Sequence, residues 1–148
     1  MNSTTTKQKI IFCLVVFCLD RLLKMTTKHY AMFQIHTLFG FLGIEYFQNT
    51  GVAFGLPVPN IFQILFYLGF IFGIFWWCVK NKTEWQTHLF PLTLLSLGAT
   101  SNTVDRIIYG YTVDYIRLLT SVINIADIMI ITGIFLLIKK PQIKTSSL

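Results

Sequence analysis

Residues 61–79, IFQILFYLGFIFGIFWWCV, carry no charge and reach the pair Trp76-Trp77 just before Lys80 and Lys82. A helix needs roughly 20 predominantly apolar residues to cross a bilayer's hydrocarbon core. No water is present there to satisfy backbone groups, so a helix that pairs its own N–H and C=O groups is the favoured solution. This stretch commits the chain to a membrane, and the other apolar runs read as its companions. Residues 88–105 are uncharged until Asp105, with Pro91 expected in a first turn, where proline is tolerated. Residues 122–139 are apolar apart from Asn124 and Asp127 and stop at Lys139-Lys140-Pro141. The first run, about residues 8–26, is interrupted by Asp20 and Arg21.

That first run also fits a secretory signal, with Lys7 and Lys9 ahead of a short apolar core. LVVFC, ending at Cys18, even resembles a lipoprotein acceptor, but Phe17 is bulky where a small residue is required. No A-x-A-like site follows, so a membrane helix is the better reading.

Basic residues settle the expected orientation. Lys7 and Lys9 precede span one, Lys80 and Lys82 join spans two and three, and Lys139, Lys140 and Lys144 follow span four. All fall on one side if both termini are cytoplasmic, as the positive-inside rule requires. The excess of twelve Lys+Arg over six Asp+Glu is thereby explained without nucleic acid, for which no basic stripe interleaved with aromatics exists. Only 12% of residues are charged, against about 25% in a soluble domain. The expected architecture is an all-α membrane bundle of four transmembrane helices, N-in and C-in, forming one domain over residues 1–148. A small extracytoplasmic β-like cradle is expected between spans one and two. There IEYFQNTGVAFGLP, residues 44–57, places a turn at Gly51, and HYAMFQIHTLFGFLGI, residues 29–44, is neither helical nor cleanly alternating. Its apolar surface suits a lipid-bearing partner or packing on the helices. Cys13, Cys18 and Cys78 form no CxxC, and His29, His36 and His88 are scattered, so neither a disulfide framework nor a metal site is expected.

This topology gathers the polar residues. Asp20, Lys24, Asn102 and Asp105 fall near the outer ends of spans one and three, and Asn124 and Asp127 near the outer beginning of span four. Asp114 lies in the short outer segment 106–121. A charge deep in a span costs at least ~2.5–3.5 kcal/mol, and such residues face cavities and mark function. Bland roles exist for several. Asp20 and Lys24, at i and i+4, suit an interfacial anchoring pair. Asp105 and Arg106 could cap the outer end of span three, sharing a face with Asn102.

Two carboxylates brought close cannot both ionise easily, so the pair holds one proton near neutrality. The ionised member can take a proton from water while the other polarises a carbonyl, the logic of aspartic peptidases. Asp114 and Asp127 are the candidates. No G-x-S-x-G, Cys/His partnership or H-E-x-x-H offers another nucleophile or metal base. Proton-coupled transport through intramembrane carboxylates is the competing reading, although no internal repeat supports it. A non-enzymatic assembly factor is a third.

Four blocks, DRLLK 20–24, QNTGVAFGL 48–56, GATSNTVDRIIYGYTVDYI 98–116 and NIADIMIITG 124–133, resemble lipoprotein signal peptidase (signal peptidase II), a bacterial membrane aspartyl peptidase. The resemblance implies cleavage of a prolipoprotein signal peptide just before a diacylglyceryl-modified cysteine, at the outer face of the cytoplasmic (inner) membrane. It implies no cofactor. Partners would be lipidated precursors and membrane lipids, acting on a monomer, with globomycin-type inhibitors binding the dyad. Position by position, Asp114 and Asp127 match the catalytic dyad. Asp20, Lys24, Asn49, Gly51, Asn102, Asp105, Arg106, Asn124 and Ala126 match positions that shape or support the site. The family's first outer segment forms a sheet-like cradle and its second a lid. Departures from the family pattern are Ser101 and Thr103 beside Asn102, Ile123 before Asn124, and a short stretch between the two aspartates.

Overall fold

The structure, a computed structural model, describes residues 3–31, 34–37, 41–51, 58–80 and 85–138. Four helices, α1 (Ser3–His29), α2 (Asn60–Lys80), α3 (Trp85–Tyr109) and α4 (Ile125–Ile138), carry a four-stranded sheet. Its strands are β1 (Ile35–Thr37), β2 (Leu42–Asn49), β3 (Thr112–Leu118) and β4 (Ser121–Ile123), ordered β1-β2-β3-β4 and antiparallel throughout. Among the described helices, α2 alone is both long and apolar enough to cross a membrane by those two criteria, and α4 is a shorter apolar helix.

Three expectations need correction. The sheet is not confined to the segment after α1, because the segment 106–121 contributes β3 and the first residue of β4. Asp114 therefore sits on a strand of the sheet. The fourth span was expected from residue 122, but Val122 and Ile123 pair with Arg117 and Ile116 in β4, so the helix begins at Ile125. Pro91 lies in the second turn of α3, since that helix starts at Trp85. The basic residues Lys82, Lys139, Lys140 and Lys144, and residues 52–57 of the second sequence block, lie outside the described residues.

Local chemistry explains the boundaries. Gly110 adopts φ 81° and its N–H donates to the Arg106 carbonyl at 3.1 Å, a left-handed cap that ends α3 and turns the chain into β3. Leu119, at φ 56°, makes the β3–β4 turn, and its N–H is held by the Phe41 carbonyl at 2.7 Å. Between Ile44 and Phe47, β2 takes one extra residue relative to β3, after which Phe47 pairs with Asp114 and Asn49 with Thr112. A one-residue slip exchanges the faces of a strand. The extra residue is what brings position 49 onto the face of Asp114.

Helices α3 and α4 pack closely because two glycines allow it. A Cβ on Gly98 would lie 2.6 Å from the Ala126 carbonyl oxygen, and one on Gly133 would lie 2.8 Å from that of Pro91. Cys13, Leu94 and Met129 centre the apolar core between α1, α3 and α4. By contrast, Gln63 is the buried residue of α2, whose aromatic and aliphatic side chains face outward.

Candidate active site

The polar residues of α1, α3 and α4 turn inward and meet the sheet at one end of the bundle. The deepest part is an ion cluster. Lys24 Nζ lies 2.9 Å from Asp105 and 3.4 Å from Asp20, and donates to Asn102 Oδ1 at 2.7 Å. Arg21 pairs with the other Asp105 oxygen and reaches the Ser101 carbonyl at 3.2 Å. Ser101 Oγ donates to Asp20 at 2.6 Å, so this departure from the family pattern is absorbed into the network. Asp20, Lys24 and Asp105 are at most 1% exposed. The Asp20–Lys24 pair is thus internal and not an anchor at the membrane boundary.

Asn124 organises the neighbouring part. It is the residue before α4, and its side-chain oxygen accepts the Asp127 N–H at 2.9 Å. Asp127 returns the contact, accepting the Asn124 N–H at 3.2 Å. This reciprocal box is a common way to satisfy the free N–H groups of a helix start. The remaining first-turn donors are satisfied as well: Ala126 N–H reaches Asp20 at 3.2 Å and Ile125 N–H reaches the Tyr115 hydroxyl at 3.2 Å. Asn124 also donates its amide to Asp114 Oδ1, and one side chain therefore touches both aspartates.

Neutral amides complete the surroundings of the pair. Asn102 donates to Asp127 at 2.8 Å, and Asn49 donates to Asp114 at 2.8 Å. Asn49 Oδ1 in turn accepts the Gly51 N–H at 3.0 Å, which builds the turn expected there. Arg106 donates to the Gly51 carbonyl at 2.7 Å and Asn60 donates to the Arg106 carbonyl at 3.0 Å, tying the turn to α3 and α2. Asp114 is fully enclosed, and burial first, then the charge of Asp127, push its carboxyl up to about 7. Asp127 retains partial exposure.

The profile of the family described as signal peptidase (SPase) II matches residues 12–141. The chain belongs to that family. A lipoprotein signal peptidase of Syntrophus aciditrophicus is 32% identical over 89% of this chain and 92% of its own. One from Cupriavidus taiwanensis is 31% identical over 93% of this chain and 84% of its own. One from Coxiella burnetii is 31% identical over 92% and 90%. A solved structure described as a bacterial membrane enzyme, determined in meso at 2.3 Å, shares the fold at TM-score 0.78. It is 23% identical over 89% of this chain and 85% of its own. Membership in signal peptidase II makes this a membrane hydrolase of the peptidase class, and the transport alternative draws no support.

In this signal peptidase II, every residue singled out from sequence joins one connected network. Asp20, Lys24, Asn102 and Asp105 line its ionic part. Asn49, Asp114, Asn124 and Asp127 line its amide part, and Gly51, Arg106 and Ala126 brace it through backbone groups. Sequence reasoning missed Arg21, Ser101, Asn60 and Tyr115. Arg21 and Tyr115 each adjoin a chosen aspartate, and that adjacency was the available signal.

Proposed function

We propose that this signal peptidase II removes signal peptides from lipoprotein precursors by an aspartyl mechanism centred on Asp114 and Asp127. Cleavage falls just before a cysteine already bearing diacylglycerol. The four helices act as four spans with both termini cytoplasmic, and the site faces the extracytoplasmic side of the bacterial cytoplasmic membrane. The observation that carries the reading is Asn124, which holds both carboxylates at the start of α4 while no cation pairs with either among the described residues.

The two aspartates take different roles. Asp127 stands in the first turn of α4, where the positive end of the helix favours a carboxylate. Asp114, enclosed and raised to about 7, is the member assigned the proton that the pair shares near neutrality. Water attacks the scissile carbonyl carbon as Asp127 takes a water proton and Asp114 protonates the carbonyl oxygen. The resulting gem-diol collapses, the C–N bond breaks, and the proton on Asp127 passes to the departing cysteine amine. A gem-diol hydroxyl returns its proton to Asp114, which restores the starting state. Asn102, Asn124 and Asn49 hold the carboxylates. Asp20, Lys24 and Asp105 fix the helices behind them, while Arg106 secures the Gly51 turn and Ala126 ties α4 to Asp20. The enzyme works as a monomer among membrane lipids, and globomycin-type inhibitors occupy the dyad.

The test is cleavage in detergent or proteoliposomes of a lipidated precursor beside its unlipidated counterpart. Cleavage of the lipidated form alone is expected, with globomycin blocking it. Equal cleavage of both forms would remove the lipid requirement.

A further inference from the structure

Asp114 and Tyr115 are neighbours on β3, so their side chains leave opposite faces of the strand. Both reach the start of α4. Asp114 accepts from the Asn124 side chain, and the Tyr115 hydroxyl accepts from the Ile125 N–H at 3.2 Å. The same hydroxyl donates to Asp20 Oδ1 at 2.9 Å, the oxygen that also accepts the Ala126 N–H. Tyr115 is 2% exposed, and its ring is fixed by burial. Its phenol is held above the ordinary tyrosine value by burial and by the charge of Asp20, so it remains a donor at any working pH.

We infer that Tyr115 is a positioning residue for the peptidase reaction: its hydroxyl clamps the strand bearing Asp114 to the helix bearing Asp127, through Asp20 on α1. The contacts of Asp114 and Tyr115 flank the helix start from two faces, so the strand cannot roll about its axis without breaking one of them. Asn124 alone would hold the aspartates together yet leave that roll free. The 10–20° of misalignment that this permits is enough to degrade a catalytic constellation. Tyr115 touches no reacting atom and acts through Asp20 and the first turn of α4.

This inference rests on the dyad reading, and the two fail separately. Normal cleavage by Asp114→Asn sinks the dyad, whereas the clamp is read in Tyr115→Phe, which keeps the ring and removes one oxygen. On a lipidated precursor, Tyr115→Phe should lower kcat roughly tenfold, about the worth of one buried hydrogen bond, with KM little changed. It should also displace the alkaline limb of the pH–rate profile, because the separation of the carboxylates sets their coupling. Asp20→Asn should lower kcat too, and adding Tyr115→Phe to it should cost clearly less than tenfold more, since both break one chain of contacts. Wild-type kcat and pH profile in Tyr115→Phe would overturn the clamp. So would a loss confined to KM, full additivity with Asp20→Asn, or a fall matched by the folded fraction measured from thermal melts.

Discussion

Two pairs of carboxylates lie within one polar interior and are treated in opposite ways. Asp20 and Asp105 are matched by Lys24 and Arg21, two acids against two bases, and their remaining lone pairs accept from Ser101, Tyr115 and backbone N–H groups. Asp114 and Asp127 receive only amides and backbone N–H groups among the described residues. The first pair is neutralised by partners of opposite charge. A carboxylate held by neutral donors beside a second one keeps a proton whose release is easy to trigger. In the proposed mechanism the first pair builds the floor of the site and the second does its work, although all four residues are the same amino acid.

The largest effect expected from breaking this contrast is on turnover. Asp114→Asn or Asp127→Asn keeps the shape and removes the acid or base, and cleavage should fall by roughly 10³-fold or more. Neither change should lower the thermal stability of the detergent-solubilised protein, because no ion pair is lost. Turnover assays and melts on the same preparations check both halves.

Lys24→Met asks the opposite question. The ammonium is 1% exposed and serves both Asp20 and Asp105, so its removal leaves buried charge uncompensated. The expected cost is about 3–5 kcal/mol of stability, read as a large drop in the melting temperature. If Lys24→Met melts like the wild type while Asp114→Asn is destabilised, the two pairs have exchanged roles and the comparison is broken.

How much of this was legible in sequence follows from the same energetics. A charge or an amide in an apolar run is too costly to be accidental, so Asp20, Lys24, Asn102, Asp105 and Asp127 stood out as soon as the helices did. Their level followed from the expected orientation. The β3–β4 hairpin did not stand out, because TVDYIRLLTSVI is stabilised by pairing with β2 some seventy residues earlier. Local pattern carries no trace of that pairing, nor of the extra residue in β2 that turns Asn49 toward Asp114. Ser101 and Tyr115 were hidden for another reason. Each looks ordinary alone, and its value lies in the aspartate it meets across the fold.

The pH dependence sharpens the contrast further. Asp114 is raised from 3.8 to about 7 by burial and by Asp127, against the lowering effects of Asn49, Asn124 and Lys24. The proton needed for catalysis is therefore lost as pH climbs past about 7, and kcat/KM should fall about tenfold per unit beyond it. The sign for folding is the same. A raised carboxyl favours the folded state most below the ordinary value of 3.8, and that contribution disappears as pH rises to about 7. Asp114→Asn should flatten the stability profile across that window.

The smallest effect belongs to a third kind of carboxylate. Glu45 on β2 meets Arg117 on β3 through two contacts of 2.7 and 2.8 Å, but the arginine side chain is 30% exposed. The guanidinium keeps part of its hydration whereas the Glu45 side chain is only 7% exposed, so the desolvation that makes Lys24 indispensable is present on one side of this pair. Arg117→Ala should cost about 1–2 kcal/mol, less than Lys24→Met, and leave the alkaline limb of the rate profile unmoved. A loss as large as that of Lys24→Met would mean that enclosure is not what separates the two kinds of ion pair. The geometry of the bidentate pair would then have to carry the difference, and double-mutant cycles at 45/117 and 20/24 would measure it.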